Sequence, residues 1–322
     1  MKPPILVATR GWNPEDWARR FLALRPDRTV LRTTRQGIFE GSDAELRDIP
    51  YVLAWKPVQE TIDRLSSLRV IFSLGAGVDH IFALPRPPEV PVVRIIDRDL
   101  TGRMTEYVVW QVLDHLRFGA GYRRHQRERR WDEFRQPAAH DVTVGLMGLG
   151  VMGSDAAEVL VRLGFKVRGW SRSARTIEGV TTFAGQSGLD EFLSGTDILV
   201  ALLPLTPETR GLVDMALLRK LKRHGPLGGP VFINAGRGGL HVESDIVRAL
   251  DDGTLAGASL DVFETEPLPE ASPLWNCANL TITPHVAAVS NPDALVLQIV
   301  EQIEAFERGE GLRNLVDRER GY

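Results

Sequence analysis

Cysteine is nearly absent from the chain: Cys277 is the single one in 322 residues. That excludes an intramolecular disulfide framework and any multi-cysteine metal site; a passive thiol in a reducing cytosol is its ordinary reading. Charge of one sign is not in excess either. Lys and Arg number 39 against 42 Asp and Glu, a formal net charge of −3, which argues against general nucleic-acid or anionic-membrane binding. No uninterrupted apolar stretch reaches the roughly 18 residues that a membrane span needs. The N-terminal MKPPILVATRGW has an apolar run of only four residues before turn and charged residues appear, too short for a signal-peptide core. A cytoplasmic chain with no membrane contact is the expectation. What is present is ordinary globular material, 43% hydrophobic and 25% charged, long enough for two domains with sizeable cores.

The stretch Asp141 to Arg175 organises the rest. Val142, Val144, Leu146 and Met147 form an apolar run of strand length, followed at once by Gly148, Gly150 and Gly153 in G-x-G-x-x-G spacing. The first glycine permits a tight turn, the second lets backbone approach a pyrophosphate, and the third lets a helix pack closely on the strand. Val151 and Met152 open that helix. Met152, Ala156, Val159, Leu160 and Leu163 recur at helical spacing until Gly164 stops it, and Phe165 to Trp170 can form the next strand. A helix N-terminus then points at the turn, where free N–H groups and partial positive charge favour a phosphate.

About 20 residues on, an NAD site places an acidic residue on the ribose hydroxyls. This chain has Trp170, Ser171, Arg172 and Ser173 there, with Arg175 close behind and no carboxylate. Two guanidinium groups and two hydroxyls suit a 2′-phosphate, so NADP(H) is favoured while NAD(H) stays possible; a solvated basic turn is the plain alternative.

Strand-like and helix-like segments alternate on both sides. Ile5–Ala8, Tyr51–Trp55, Val70–Leu74 and Val92–Ile95 read as buried strands of a first parallel sheet. Ser73 to His80 runs from a strand end through Gly75, Ala76 and Gly77 into a helix start. Its N–H groups suit a carboxylate, and a glycine-eased turn explains the same residues equally well. A helical pattern from Met104 to Leu116 continues into a basic run, Arg123 to Trp131, which Glu128, Asp132 and Glu133 dilute; a solvated or subunit-facing helix fits it better than nucleic acid. Later strands at Asp197–Leu203, Val231–Asn234, Ala256–Leu260 and Leu280–Ile282 end in residues with chemistry. Pro204 follows Leu203, Ala235 and Arg237 follow the second, Asp261 to Pro267 the third, and Thr283 to His285 the last. In open parallel sheets ligands sit outside such carboxyl ends. A closing helix over Pro292 to Phe306 leaves too little chain for a third domain and is expected to return to the N-terminal one.

Taken together, the chain resembles the D-2-hydroxyacid dehydrogenases, and within them the glyoxylate/hydroxypyruvate reductase A type. The resemblance runs nearly end to end through Leu74 to Asp79, Gly148 to Gly153, Trp170 to Ser173, Leu260 to Phe263, Glu266 to Pro269, Ser272 to Trp275, Thr283 to His285 and Val316 to Arg318. It implies two doubly wound α/β parallel-sheet domains, a Rossmann cofactor domain at 108–286 inserted in a flavodoxin-like substrate domain at 1–107 plus 287–322. It also implies reduction of a small 2-oxo acid by a homodimer. Arg237 would hold the oxo acid, His285 would act as acid/base and Glu266 as its carboxylate partner. The residue chemistry agrees: Arg237 offers a planar fork for a carboxylate, His285 can give a proton near working pH, and Glu266 can orient the ring. Leu203, Pro204, Ala235 and Asp261 join the cofactor set, and Trp55 with Gly75 to Gly77 the substrate set; no metal is expected. A cofactor-sensing, non-catalytic member of the same fold is the competing class, and dehydrogenases of formate or phosphite a third; the intact Arg237, Glu266 and His285 set disfavours a pure sensor.

Overall fold

The computed structural model describes residues 2–321 and divides into two compact units. One runs up to Asp99 and resumes at Ser290; the other is Leu100–Val289.

The first unit holds five strands, β1 (Ile5–Thr9), β2 (Val30–Arg32), β3 (Tyr51–Trp55), β4 (Val70–Ser73) and β5 (Val92–Val93). They form one parallel sheet in the order β2-β1-β3-β4-β5, the flavodoxin-like order. β1 and β4 are buried along their whole length, as strands covered on both faces must be. The closing helix, Pro292–Glu307, belongs to this unit because of what it presents. Leu295, Val296, Ile299, Val300 and Ile303 recur at helical spacing and enter the core with Ile5, Val7, Phe21 and Phe72. Arg28, its side chain 1% exposed, meets Glu307 with two hydrogen bonds of 2.8 and 2.7 Å. Glu307 reaches solvent, so the pair is half-buried, and its hydrogen bonds between charged groups are worth about 1.5–3 kcal/mol.

The second unit carries seven strands: β6 (Thr143–Met147), β7 (Lys166–Ser171), β8 (Val180–Ala184), β9 (Ile198–Ala201), β10 (Val231–Asn234), β11 (Gly257–Leu260) and β12 (Leu280–Ile282). All pair in parallel, in the order β12-β11-β10-β9-β6-β7-β8. The order reverses between β6 and β9, the place where open α/β sheets bind ligands. Every strand's carboxyl end therefore lies on the same edge of this sheet.

β2 and β8 carry no strand signal in the sequence. Both are outermost strands with partly exposed residues, so neither shows the continuous apolar run of a central strand. The long helical pattern is also interrupted. The helix Arg98–Leu116 stops, Phe118 takes φ +55°, and a second helix, Gly119–Glu128, ends where Arg129 takes φ +56°. A Cβ on Gly119 would lie 2.0 Å from the Asp114 carboxylate, which holds Arg123 with bonds of 2.8 and 2.9 Å. The basic run is thus partly neutralised where it begins, and Trp131 stands outside any helix.

Among the described residues no helix is long and apolar enough to cross a membrane, and no cluster of side chains is arranged to hold a metal ion.

Candidate active site

The glycine turn joins β6 to a helix of twelve residues, Val151–Arg162. Gly148 takes φ +109°, and a Cβ there would lie 2.8 Å from Leu202 O; only glycine adopts this conformation freely. A Cβ on Gly153 would lie 1.9 Å from Gly148 O, so the helix could not start where it does. Gly150, the residue before the helix, has nothing within 4 Å of where its Cβ would be. The turn is therefore closed on its protein side and open on the other, with Val151 and Met152 in the first helical turn facing that opening with N–H groups that no carbonyl four residues back can accept. These residues fit a dinucleotide pyrophosphate.

β7 ends at Ser171, whose hydroxyl donates to Ser173 O at 2.7 Å, while the Trp170 indole N–H donates to Gly185 O at 2.9 Å. Trp170 is thereby fixed across the turn, leaving its ring edge and the exposed Arg172, Ser173 and Arg175 at the strand end. Glu208 lies in this neighbourhood. Its carboxyl is held below the usual range mainly by the Thr206 hydroxyl at 2.8 Å, with the Arg172 charge adding to the effect. No signal in the sequence connects Glu208 to this strand end, because it arrives from the loop after β9.

That loop begins with Leu203 and Pro204, and Pro204 O accepts the Thr209 hydroxyl at 2.7 Å. After β10, Ala235 is buried and its N–H reaches Ala201 O at 3.3 Å. The Asn234 side chain organises the next three residues: its Oδ1 accepts Gly236 N–H at 2.9 Å and its amide donates to Arg237 O at 2.9 Å. The amide also reaches His241 Nδ1 at 2.8 Å. An Arg237 guanidinium N–H donates to its neighbour, Gly236 O, at 2.8 Å.

Beyond β11 and β12 the acid/base candidates meet. His285 Nδ1 lies 2.8 Å from Glu266 Oε2, and Glu266 Oε1 accepts Phe263 N–H at 3.1 Å. A carboxylate only accepts, so Nδ1 carries the hydrogen and Nε2 is left for other chemistry. His285 sits at φ +54°, a conformation uncommon for a residue with a side chain. Its N–H donates to Asp261 O at 2.8 Å. Asp261, 1% exposed, accepts Val286 N–H and Ala287 N–H at 2.9 Å each and the Thr283 hydroxyl at 2.6 Å. Asn234 has no signal in the sequence beyond its position as the last residue of β10, and Thr283 stands just past β12 at the head of the Thr283–His285 strand end.

In the first unit Trp55 ends β3, and its ring stacks on Trp12 at 4.3 Å and 8°, with the His80 ring at 4.7 Å against it. A Cβ on Gly75 would lie 2.5 Å from the Trp55 ring. Ser73 Oγ accepts Gly75 N–H at 3.3 Å and donates toward Gly75 O and Gly77 O at 2.9 and 3.0 Å. The N–H groups of Ala76 and Gly77 have no acceptor among the described residues.

A parallel seven-stranded sheet with a glycine-rich turn at its reversal point and a His–Glu pair at its edge defines a nucleotide-dependent dehydrogenase of the D-2-hydroxyacid class. Residues 109–287 match the family model of the D-isomer specific 2-hydroxyacid dehydrogenase, NAD binding domain, and the chain belongs to that family. It is 41% identical over 318 residues to glyoxylate/hydroxypyruvate reductase A of Yersinia enterocolitica, covering 97% of this chain and 98% of that one. Among solved structures it is similar to a probable 2-hydroxyacid dehydrogenase of Rhizobium etli in complex with NADP, HEPES and L(+)-tartaric acid, 50% identical with a TM-score of 0.92. It is similar also to the NADPH-dependent glyoxylate/hydroxypyruvate reductase of Sinorhizobium meliloti in complex with NADP and sulfate, 48% identical with a TM-score of 0.92. Both cover 100% of either chain.

Proposed function

We propose that this protein is an NADPH-dependent reductase of small 2-oxo acids, reducing glyoxylate to glycolate and hydroxypyruvate to D-glycerate. The observation that carries the reading is the 2.8 Å His285–Glu266 pair, which leaves one imidazole nitrogen to deliver a proton at the edge of a cofactor sheet.

Gly148, Gly150, Val151, Met152 and Gly153 would hold the pyrophosphate. Trp170, Ser171, Arg172, Ser173 and Arg175 would hold the adenosine ribose and its 2′-phosphate. Leu203, Pro204, Ala235 and Asp261 would line the rest of the same sheet edge. When bound, NADPH supplies the hydride that goes to the carbonyl carbon of the oxo acid. His285 gives the carbonyl oxygen its proton from Nε2, while Glu266 keeps the ring in the tautomer and orientation that make this possible. Arg237 pairs with the substrate carboxylate and polarises the neighbouring carbonyl. The free N–H groups of Ala76 and Gly77 suit a carboxylate as well, and the immobilised Trp55 ring beside them suits a wall that favours small acids. A cofactor sensor has no use for a preformed acid/base pair. NADH is expected to serve less well, since Arg172 and Arg175 have no ribose phosphate to meet.

The homodimer and the cytoplasmic location belong to the same proposal. Trp110 is 53% exposed and Trp131 98% exposed, areas that a second copy would cover, and sedimentation of the purified protein tests this. The carboxylate-binding role is tested by Arg237→Lys, which keeps the charge and loses the fork. Turnover with glyoxylate should fall while NADPH binding, followed by fluorescence, stays near wild type. A loss of NADPH affinity instead would move Arg237 into the phosphate site.

A further inference from the structure

We propose that Tyr107, acting through Thr283 and Asp261, is a positioning residue for His285; the inference rests on the reading of His285 as the proton donor. Tyr107 lies on the helix Arg98–Leu116, is 6% exposed, and its hydroxyl stands 2.8 Å from Thr283 Oγ1. Thr283 gives its single hydroxyl hydrogen to Asp261 Oδ1 at 2.6 Å, which leaves it only lone pairs toward Tyr107. Tyr107 therefore donates. Burial holds its phenol far above the ordinary range, so it remains a donor throughout the working pH range.

The chain of hydroxyls ends on a carboxylate that builds the His285 loop. Asp261 accepts Val286 N–H and Ala287 N–H at 2.9 Å each through its side chain, and His285 N–H at 2.8 Å through its carbonyl. His285 is held at φ +54° by these bonds, against a local preference for negative φ. The chain enters this unit at Leu100 and leaves it at Val289. Tyr107 follows the entry closely and the loop Thr283–Ala287 precedes the exit. One buried carboxylate thus fastens both stretches, and the tyrosine is what ties the helix into it.

The test compares Tyr107→Phe, Thr283→Val and Thr283→Ser. Tyr107→Phe should lower kcat for glyoxylate reduction about three- to tenfold, the value of one buried hydrogen bond. KM for glyoxylate and the affinity for NADPH should stay within about twofold, because no binding group is touched. In the protein without cofactor, amide exchange at Val286 and Ala287 should quicken. Thr283→Val should lose as much or more, Thr283→Ser should restore most of it, and the Tyr107→Phe/Thr283→Val double variant should be no worse than Thr283→Val alone, since both cut one chain. Unchanged kcat and exchange in Tyr107→Phe, with an active wild type, would overturn the inference. So would a lower kcat with unchanged exchange and a matching loss of thermal stability. A wild type that reduces neither glyoxylate nor hydroxypyruvate would instead refute the functional reading, while the exchange measurement still decides whether Tyr107 fixes the loop.

Discussion

Two turns in this chain run from a buried strand through glycines into a helix, and they are built on different principles. After β6 the glycines are demanded by backbone: Gly148 has φ +109°, and a Cβ on Gly153 would strike a carbonyl oxygen at 1.9 Å. The helix that follows has twelve residues, long enough for a useful positive end. After β4 the constraint comes from a side chain, since Gly75 makes room for the Trp55 ring, and the helix beyond has only four residues. In the proposed carboxylate role this turn would act through the N–H groups of Ala76 and Gly77 and not through a helix dipole. The same sequence punctuation therefore builds two different turns, which the proposed function assigns to a phosphate in one unit and to a carboxylate in the other.

The largest effect that separates the units is chemical. His285→Ala should reduce kcat for glyoxylate by about 10²–10⁴-fold, the usual worth of a positioned acid, with NADPH affinity unchanged by fluorescence titration. Near-normal turnover would mean that the proton comes from elsewhere and that the second unit holds only cofactor.

Acid should destabilise the second unit. His241 is 3% exposed, its Nδ1 accepts the Asn234 amide at 2.8 Å, and burial pushes its pKa down to about 4 from an ordinary value of 6.5. The folded state thus binds fewer protons than the unfolded one between those values. Its stability is complete above about pH 6.5 and is lost as pH falls toward 4, by on the order of 3 kcal/mol. Thermal melts across that range should show the fall, and His241→Asn should make it shallower, with His115, which burial also pushes down to about 4, carrying the remainder. An equally steep profile in the variant would place the acid sensitivity in other groups.

How far such features can be read from sequence depends on whether a neighbour in the chain or a neighbour in space imposes them. The Gly148–Gly153 spacing is legible because the clash it avoids lies within six residues, and the central strands are legible because burial on both faces demands apolar runs. β2 and β8 sit at sheet edges and leave no such trace. His285, Glu266 and Arg237 stand out as chemistry-bearing residues after strands, yet the 2.8 Å His285–Glu266 contact spans a separation of 19 residues. Tyr107 lies 176 residues from Thr283, and nothing local to either residue announces the other.

The contrast between the turns is sharpened by two alanine substitutions. Gly153→Ala should weaken NADPH binding by roughly tenfold to a hundredfold, because overpacking against fixed backbone costs about 1–3 kcal/mol. Gly75→Ala meets a ring edge and should instead raise KM for glyoxylate about threefold, a cost near 0.7 kcal/mol, with NADPH binding intact. Parallel losses in both parameters for both variants would erase the distinction.

Reduction with each nicotinamide cofactor is the most direct test of the account. Steady-state oxidation of NADPH and of NADH should be followed by absorbance with glyoxylate, hydroxypyruvate, pyruvate and a bulkier 2-oxo acid, in wild type and in the Arg172→Ala/Arg175→Ala variant. The account predicts that glyoxylate and hydroxypyruvate are reduced with NADPH in preference to NADH. It also predicts that the double variant raises KM for NADPH by about tenfold, the worth of roughly 1.4 kcal/mol of exposed charge-assisted contact, and leaves KM for NADH nearly alone. Equal use of the two cofactors by the wild type, or no reduction of either small acid, would contradict it.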